Sequence, residues 1–317
     1  MGDASAGSGV QPRLVLAGVA LAANAVQLAG VYWDVGWHHA RGRETFWSPP
    51  HLAIYAGVAL ALAAAAAGLC GGRGGGAYRL AALGPMIQAG AAPVDELWHR
   101  IIGRDVSIWS PPHLLGILGG MVGILGWVRV LVPPRAAGAP GRRAGGLACA
   151  FTVLLLAGAL FALGEYDHDQ ASREPGLYPA LVGLLAPWIL VAARAWLGRA
   201  WAGTLVAVGY TLLRLALAVM VWGIGLPWMG VPPLIVPGAI LLDVLGERKG
   251  PAIAGATFGL AFTASDYPVT YLVSGRAWGA IEWAASLLAA AAAGWASARL
   301  GRWLAAGRKP WEPSSAG

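Results

Sequence analysis

The chain has 317 residues, of which 57% are hydrophobic and 12% charged, and a net charge of +7. Soluble domains carry about 25% charged residues, so this composition excludes an ordinary soluble globular enzyme. The positive balance is not a nucleic-acid signal either: the basic residues are spread over short connections between apolar runs, where they set membrane topology. No nucleic-acid partner is expected.

In chain order, MGDASAGSGVQPR is a short polar lead-in. The apolar segment behind it runs on into Trp33 and Asp34 without a small-residue cleavage site, so it reads as a helix and not a signal peptide. A hydrocarbon core of ~30 Å asks for about 20 apolar residues per helix. Ten segments approach that, near residues 13–37, 50–71, 78–100, 112–132, 145–165, 177–197, 202–223, 231–246, 250–266 and 278–303. The eighth and ninth are short and glycine-rich. The expected fold is all-α, a polytopic transmembrane bundle of about ten spans. It divides into a duplicated four-helix unit over 1–135 and a further bundle of six helices over 136–317. Cys70 and Cys149 fall at helix ends near the expected cytoplasmic connections and form no CxxC motif, so no structural disulfide is expected.

The charges orient the bundle. One set of connections carries Arg73, Arg79, Arg129, Arg135, Arg142, Arg143, Arg194, Arg199, Arg248 and Lys249, joined by Arg299, Arg302, Arg308 and Lys309 near the C-terminus. By the positive-inside rule both termini are then cytoplasmic. The opposite side holds all six histidines and most of the acids. This segregation predicts one functional surface on the periplasmic or extracellular side of the cell's inner membrane.

Two stretches on that side resemble each other. Residues 33–52 read WDVGWHHARGRETFWSPPHL and residues 94–114 read VDELWHRIIGRDVSIWSPPHL. The shared frame is D-x-x-x-H with Trp before the His, then G-R-acid, then W-S-P-P-H-L. The unit is two helices long, so the first four spans read as a tandem repeat of helical hairpins, both copies pointing the same way.

Asp34 and His38 are four residues apart and share one helix face. His51 follows Pro49 and Pro50 at the start of the next helix, where proline is tolerated because the first N–H groups lack partners. The loop therefore returns His51 towards the first pair. Asp95, His99 and His113 repeat the arrangement. Two imidazoles and one carboxylate suit copper, zinc or iron with an open coordination position.

The accessory polar residues are weaker signals. Glu44 and Asp105, each behind a Gly-Arg pair, shape the loops or orient the histidines. Trp33, Trp37, Trp47, Trp98 and Trp109 fit an interfacial aromatic belt. A third polar cluster, Glu165, Asp167, His168 and Asp169, is a hydrated loop, a further ligand set or a funnel for metal entry. Asp266 reads as a helix end or a pocket acid. Arg214, inside a span, either reaches the interface or pairs with a buried acid such as Asp243. His39 faces about 100° away from His38 on a helix and is a poor co-ligand.

These residues carry a family resemblance. The spacing of Asp34, His38 and His51 resembles the first of two neighbouring copper sites in a membrane subunit of the particulate methane and ammonia monooxygenases. The spacing of Asp95, His99 and His113 resembles the second of those sites, in the same order along the chain. The wording H-x4-R-D-x-S-x3-P-x-H from His99 to His113 is also similar to that family's loop, although there it belongs to the first site. Asp95 stands where the family has asparagine. The resemblance covers about a third of the chain and leaves residues 145–317 unmatched. Nothing here resembles the soluble cupredoxin-like domain that the same monooxygenases carry on another of their chains. The resemblance implies copper as cofactor, other monooxygenase-type subunits as partners, and oxidation of a small apolar substrate.

Three functions follow from the site. The first is a copper-dependent oxidase or monooxygenase component in the lipid bilayer. The second is a zinc-dependent membrane hydrolase, with Glu44, Glu96 or Asp105 as base. The third is a metal-ion binder or transporter.

Overall fold

A computed structural model describes residues 10–42, 45–72, 75–102, 107–132, 139–168, 172–227 and 230–306. Among these residues the regular elements are all α-helices: α1 (Val10–Arg41), α2 (Pro49–Cys70), α3 (Gly76–Ile102), α4 (Pro111–Leu131), α5 (Arg142–Phe161), α6 (Glu165–His168), α7 (Leu177–Leu185), α8 (Pro187–Leu197), α9 (Ala202–Gly223), α10 (Val236–Arg248), α11 (Pro251–Ser274) and α12 (Ala280–Ala306).

Six stretches are long and apolar enough to cross a membrane: Pro12–Arg41, Pro49–Cys70, Pro111–Leu131, Arg142–Phe161, Leu177–Leu197 and Ala202–Gly223. Their apolar side chains are not all inside the protein. Leu60, Leu118 and Leu212 are 47%, 54% and 63% exposed, a surface that water would drive to aggregate and that lipid solvates. The chain is a membrane protein. The four other expected spans also form helices, α3, α10, α11 and α12, but fall short of that length or apolarity. α10 has only 13 residues and starts at Val236, five residues later than expected, because residues 231–235 carry Pro232 and Pro233 and stay non-helical.

The described chain forms two compact units. The first takes residues 1–168 and 212–231, the second residues 169–211 and 232–317. In the first unit α1 packs on α2 and α3 on α4, with α5 alongside α1 and α4. Small residues set how closely these helices approach. A Cβ at Gly84 would lie 2.2 Å from the Gly123 nitrogen, and one at Gly126 would lie 2.2 Å from the Ala81 nitrogen. A Cβ at Gly57 would meet the Ala23 carbonyl at 2.7 Å and the Gln27 Cβ at 2.8 Å. Tyr32, Phe161, Leu217, Ala218, Val221 and Leu226 form a buried apolar cluster. Arg214, fully buried, lies over the Tyr32 ring, 4.5 Å from its centroid.

In the second unit the expected span at 177–197 is broken at Pro187 into α7 and α8. Ser297 of α12 bridges the break: its hydroxyl donates to the Leu184 carbonyl at 2.7 Å and accepts from the Trp188 N–H at 3.0 Å. Backbone groups freed by a proline inside a bundle need such partners. α11 does not end at Asp266 but runs on to Ser274, so Asp266 is neither a helix end nor a loop acid. It is buried against the Arg173 guanidinium at 3.2 Å and accepts the Leu234 N–H at 3.0 Å, holding the non-helical stretch before α10. Asp243, also buried, accepts from both the N–H and the hydroxyl of Thr204, at 2.7 and 2.8 Å.

The close α3–α4 approach is testable. Gly84→Val should cost about 1–3 kcal/mol through overpacking and lower the thermal midpoint of the purified protein. Gly90 of the same helix has open space around it, so Gly90→Ala should leave the midpoint unchanged or raise it. Equal midpoints for the two variants would refute glycine-limited packing there.

Candidate metal centres

Each site is built where one helix ends and the next begins. Asp34 and His38 sit in the last turns of α1, which stops at Gly42. Gly42 adopts φ +75°, a backbone that residues with a Cβ rarely take, and its N–H closes on the His38 carbonyl at 3.0 Å. The chain then turns so that the Ser48 N–H donates to the Thr45 carbonyl at 3.0 Å, with Ser48 at φ −60°, ψ 152°. A residue before proline favours this extended geometry, and Pro49 and Pro50 then open α2. His51 lands in the first turn.

The second site follows the same steps. The Ser110 N–H donates to the Ser107 carbonyl at 2.8 Å, Ser110 has φ −61°, ψ 146°, and Pro111 and Pro112 open α4 ahead of His113. Ser48 and Ser110 are both buried, at 6% and 4% exposure.

The carboxylates bridge their histidines. Asp34 places Oδ2 3.6 Å from His38 Nε2 and Oδ1 3.2 Å from His51 Nε2. Asp95 places Oδ2 3.3 Å from His99 Nε2 and Oδ1 3.2 Å from His113 Nε2. One ligand atom from each member of a triplet lies within 4.8 Å of the other two, in both triplets. Ligands about 2.1 Å from a metal in tetrahedral geometry are about 3.4 Å apart, so these separations fit a shared ion.

The hydrogen bonds on the far side of the rings decide what the Nε2 atoms are. His51 Nδ1 lies 3.2 Å from the Thr45 carbonyl, and His113 Nδ1 lies 3.2 Å from the Ser107 carbonyl. A carbonyl only accepts, so Nδ1 carries the proton in each ring. In the neutral imidazole Nε2 is then a lone pair, facing a carboxylate oxygen. Asp34 Oδ1 and Asp95 Oδ1 are buried and accept no properly directed hydrogen bond. In that neutral form the two lone pairs converge at 3.2 Å and repel each other unless a metal ion lies between them or a proton is added at Nε2. A carbonyl behind the ring that fixes the tautomer is also the usual support of a metal-binding histidine.

Both sites open onto one cavity of about 510 Å³, lined by Asp34 and His51 from the first triplet and Asp95 and His113 from the second. Its walls are largely apolar, with Phe46, Ile54, Val58, Leu62, Ile124 and Phe161 among them. Tyr55 stands beside His51 at a ring separation of 5.9 Å and lines the same space.

The accessory residues have other tasks. Glu165 joins neither triplet; it accepts the Ile108 N–H at 2.6 Å and so anchors the turn before His113. The Trp109 indole adds a second anchor, donating to the Ala162 carbonyl at 2.7 Å. Glu96 is paired with Arg100 at 2.7 Å. His39 is exposed and bonded through Nδ1 to the Val35 carbonyl at 2.9 Å, outside the first triplet as expected. Trp47 and Trp109 are 68% and 43% exposed. Glu44, Asp105 and Asp169 lie outside the described residues, as do the side chains of Asp167 and His168.

Two lining residues escape the sequence reading. Gln27 precedes Asp34 by seven residues and Gln88 precedes Asp95 by seven, two helical turns in each case, and both face the cavity. The signal was present in the sequence, since extending the shared frame backwards from the aspartates aligns the two glutamines.

No protein-family model, no curated protein and no solved structure matches the chain.

The converging lone pairs make a distinctive expectation for Asp34→Asn. An asparagine N–H can donate to the His51 Nε2 lone pair. At a pH of about 8.5, two units above the ordinary imidazole value, metal-free Asp34→Asn should be more stable than the metal-free parent. The gain should be about 1 kcal/mol, read from thermal melts after chelation. A lower midpoint for the variant would mean an imidazolium–carboxylate ion pair and would remove the case for a cation.

Proposed function

We propose that the chain is a copper-dependent membrane oxidoreductase, a monooxygenase-like component that oxidises an apolar substrate within the bilayer. The observation that carries the reading is the pair of half-buried Asp/His/His triplets opening onto one apolar cavity. Asp34, His38 and His51 would hold one ion, and Asp95, His99 and His113 a second. The resemblance of their spacing to the paired copper sites of the particulate methane and ammonia monooxygenases supports copper and a need for companion chains. Nitrogen-rich sites with one carboxylate also suit it.

A bound copper ion would supply dioxygen activation and one-electron chemistry. The protein's own residues do the rest. The Thr45 and Ser107 carbonyls hold His51 and His113 in the tautomer that presents Nε2, and the aliphatic wall excludes water and admits an apolar substrate. The shared frame and the matching turns support a tandem duplication of a helical hairpin. The loop charges support cytoplasmic termini, metal sites on the periplasmic or extracellular side, and ten spans in all.

Other features weigh against the remaining readings. A hydrolase needs a free base beside its metal, and of its three candidates Glu96 is engaged by Arg100, while Glu44 and Asp105 lie outside the described residues. A cation pathway needs charged or polar groups through the depth of the bundle, whereas away from the triplets the cavity is mostly aliphatic.

Elemental analysis of the purified protein should find two copper ions per chain. His51→Ala should leave one, and the His51→Ala, His113→Ala double variant none, with loss of the copper resonance signal in step. Full loading with zinc alone, or turnover that needs neither dioxygen nor reductant, would sink this function.

A further inference from the structure

The cavity is larger than a gas molecule needs, and it is not uniformly apolar. Sites of about 300–1,000 Å³ hold drug-sized ligands, and this one is about 510 Å³. Two to three helical turns from the triplets it is lined by three carboxamides, Asn24, Gln27 and Gln88, and it runs on past the glutamines to Leu62 and Ile124. Gln27 lies midway along α1, about 10 Å along the helix axis from Asp34 at 1.5 Å per residue. The wall between the two levels includes Leu28, Val31, Ile54 and Val58.

The two glutamines are held alike and satisfied differently. Gly57 backs Gln27, and Gly119 backs Gln88: a Cβ at either glycine would come within 2.9 Å of the glutamine side chain. Gln88 donates from Nε2 to the Gly116 carbonyl of α4 at 3.2 Å. The corresponding residue of α2, counting from the second histidine of each site, is Ile54, whose side chain fills that space and packs against Gly30. Asn24 spends one N–H on the Ala20 carbonyl of its own helix at 2.7 Å. Among the described residues the Gln27 carboxamide has no hydrogen-bond partner, although Gln27 is only 7% exposed. Its amide atoms are not enclosed by protein and are reached from the cavity, so they are available to whatever fills it.

We propose that the cavity binds a medium-length apolar molecule bearing one hydrogen-bonding group, a hydroxyl or carbonyl, which Gln27 receives two helical turns from the triplets. The Gln27 amide both donates and accepts, and the Asn24 Oδ1 lies one turn away. Seated this way, the ligand's apolar end reaches the level of Asp34, His51, Asp95 and His113. The inference rests on the proposed metal reading only for what happens at that end. A membrane lipid is the wrong way round: its acyl chain would bring a methyl group to Gln27 and leave its polar part at the triplets.

Photolabelling of the full chain in phosphatidylcholine nanodiscs tests this, with a diazirine-bearing 1-decanol as probe and peptide mapping as readout. Unlabelled 1-decanol should suppress labelling of α1 and α4 at about tenfold lower concentration than decane, the discrimination expected when one buried hydrogen bond is made or missed. In Gln27→Leu and in the unbranched Gln27→Met the two competitors should become equal. Equal competition in the parent protein, or a decanol preference that survives both substitutions, overturns the proposal. So does suppression by added phosphatidylcholine that is as strong in Gln27→Met as in the parent. Copper is measured on the same samples. A decanol preference without copper removes the metal reading and leaves this inference standing, whereas bound copper without a preference does the reverse.

Discussion

The geometry of both metal sites depends on one hydrogen bond made twice, from a histidine Nδ1 to the carbonyl that opens a Ser-Pro-Pro turn. Thr45 and Ser107 supply the carbonyl, and His51 and His113 the ring. Because the acceptor is a backbone carbonyl, the proton sits on Nδ1 and the Nε2 lone pair is aimed at an aspartate one helix away. Each participant is fixed by something else. The prolines set the helix start, the extended serine sets the turn, and Glu165 with Trp109 anchors the second turn. A metal site needs this arrangement because a histidine free to rotate loses affinity to rotamer entropy.

The glycines explain why the triplets meet. His51 can reach Asp34 only if α1 and α2 run close together, and Gly57 against Ala23 and Gln27 permits that approach. Gly84 and Gly126 do the same for α3 and α4 with still less room. In lipid no hydrophobic force drives helices together, so small residues that let backbones touch carry much of the packing. The two hairpins differ inside this common plan. Ile54 fills the space that Gly116 leaves open, so one glutamine is satisfied by a helix carbonyl and the other is left facing the cavity.

Much of the site was legible in the sequence, because the spacings of Asp34, His38 and His51 and of Asp95, His99 and His113 translate directly into helix faces and a proline-led return. The cavity between the hairpins was not, since it depends on where α1 to α5 stand in space. Gln27 and Gln88 were legible in principle, hidden only by stopping the shared frame at the aspartates. Asp266 misled for a local reason: Pro268 two residues on is a helix-stopping signal, yet α11 continues through it, and the acid serves Arg173 and Leu234 instead. The helix expected over 231–246 begins late, at Val236, because hydropathy counts Pro232 and Pro233 as tolerable while the backbone there is not helical.

The helix termini sharpen the case for a cation. Asp34 with His38, and Asp95 with His99, occupy the C-terminal turns of α1 and α3, where unpaired carbonyls leave partial negative charge. His51 and His113 occupy the first turns of α2 and α4, where Pro49, Pro50, Pro111 and Pro112 bring no N–H, so little positive charge opposes a cation there. A metal ion held between the two helices draws on the carboxylate and the carbonyl-rich end while leaving the second-helix histidine neutral. Each such terminus contributes about 0.3–1 kcal/mol, small beside a coordination bond. Acting at the carbonyl-rich ends of α1 and α3, these contributions favour positive charge at both sites without needing any other charged residue in the apolar cavity.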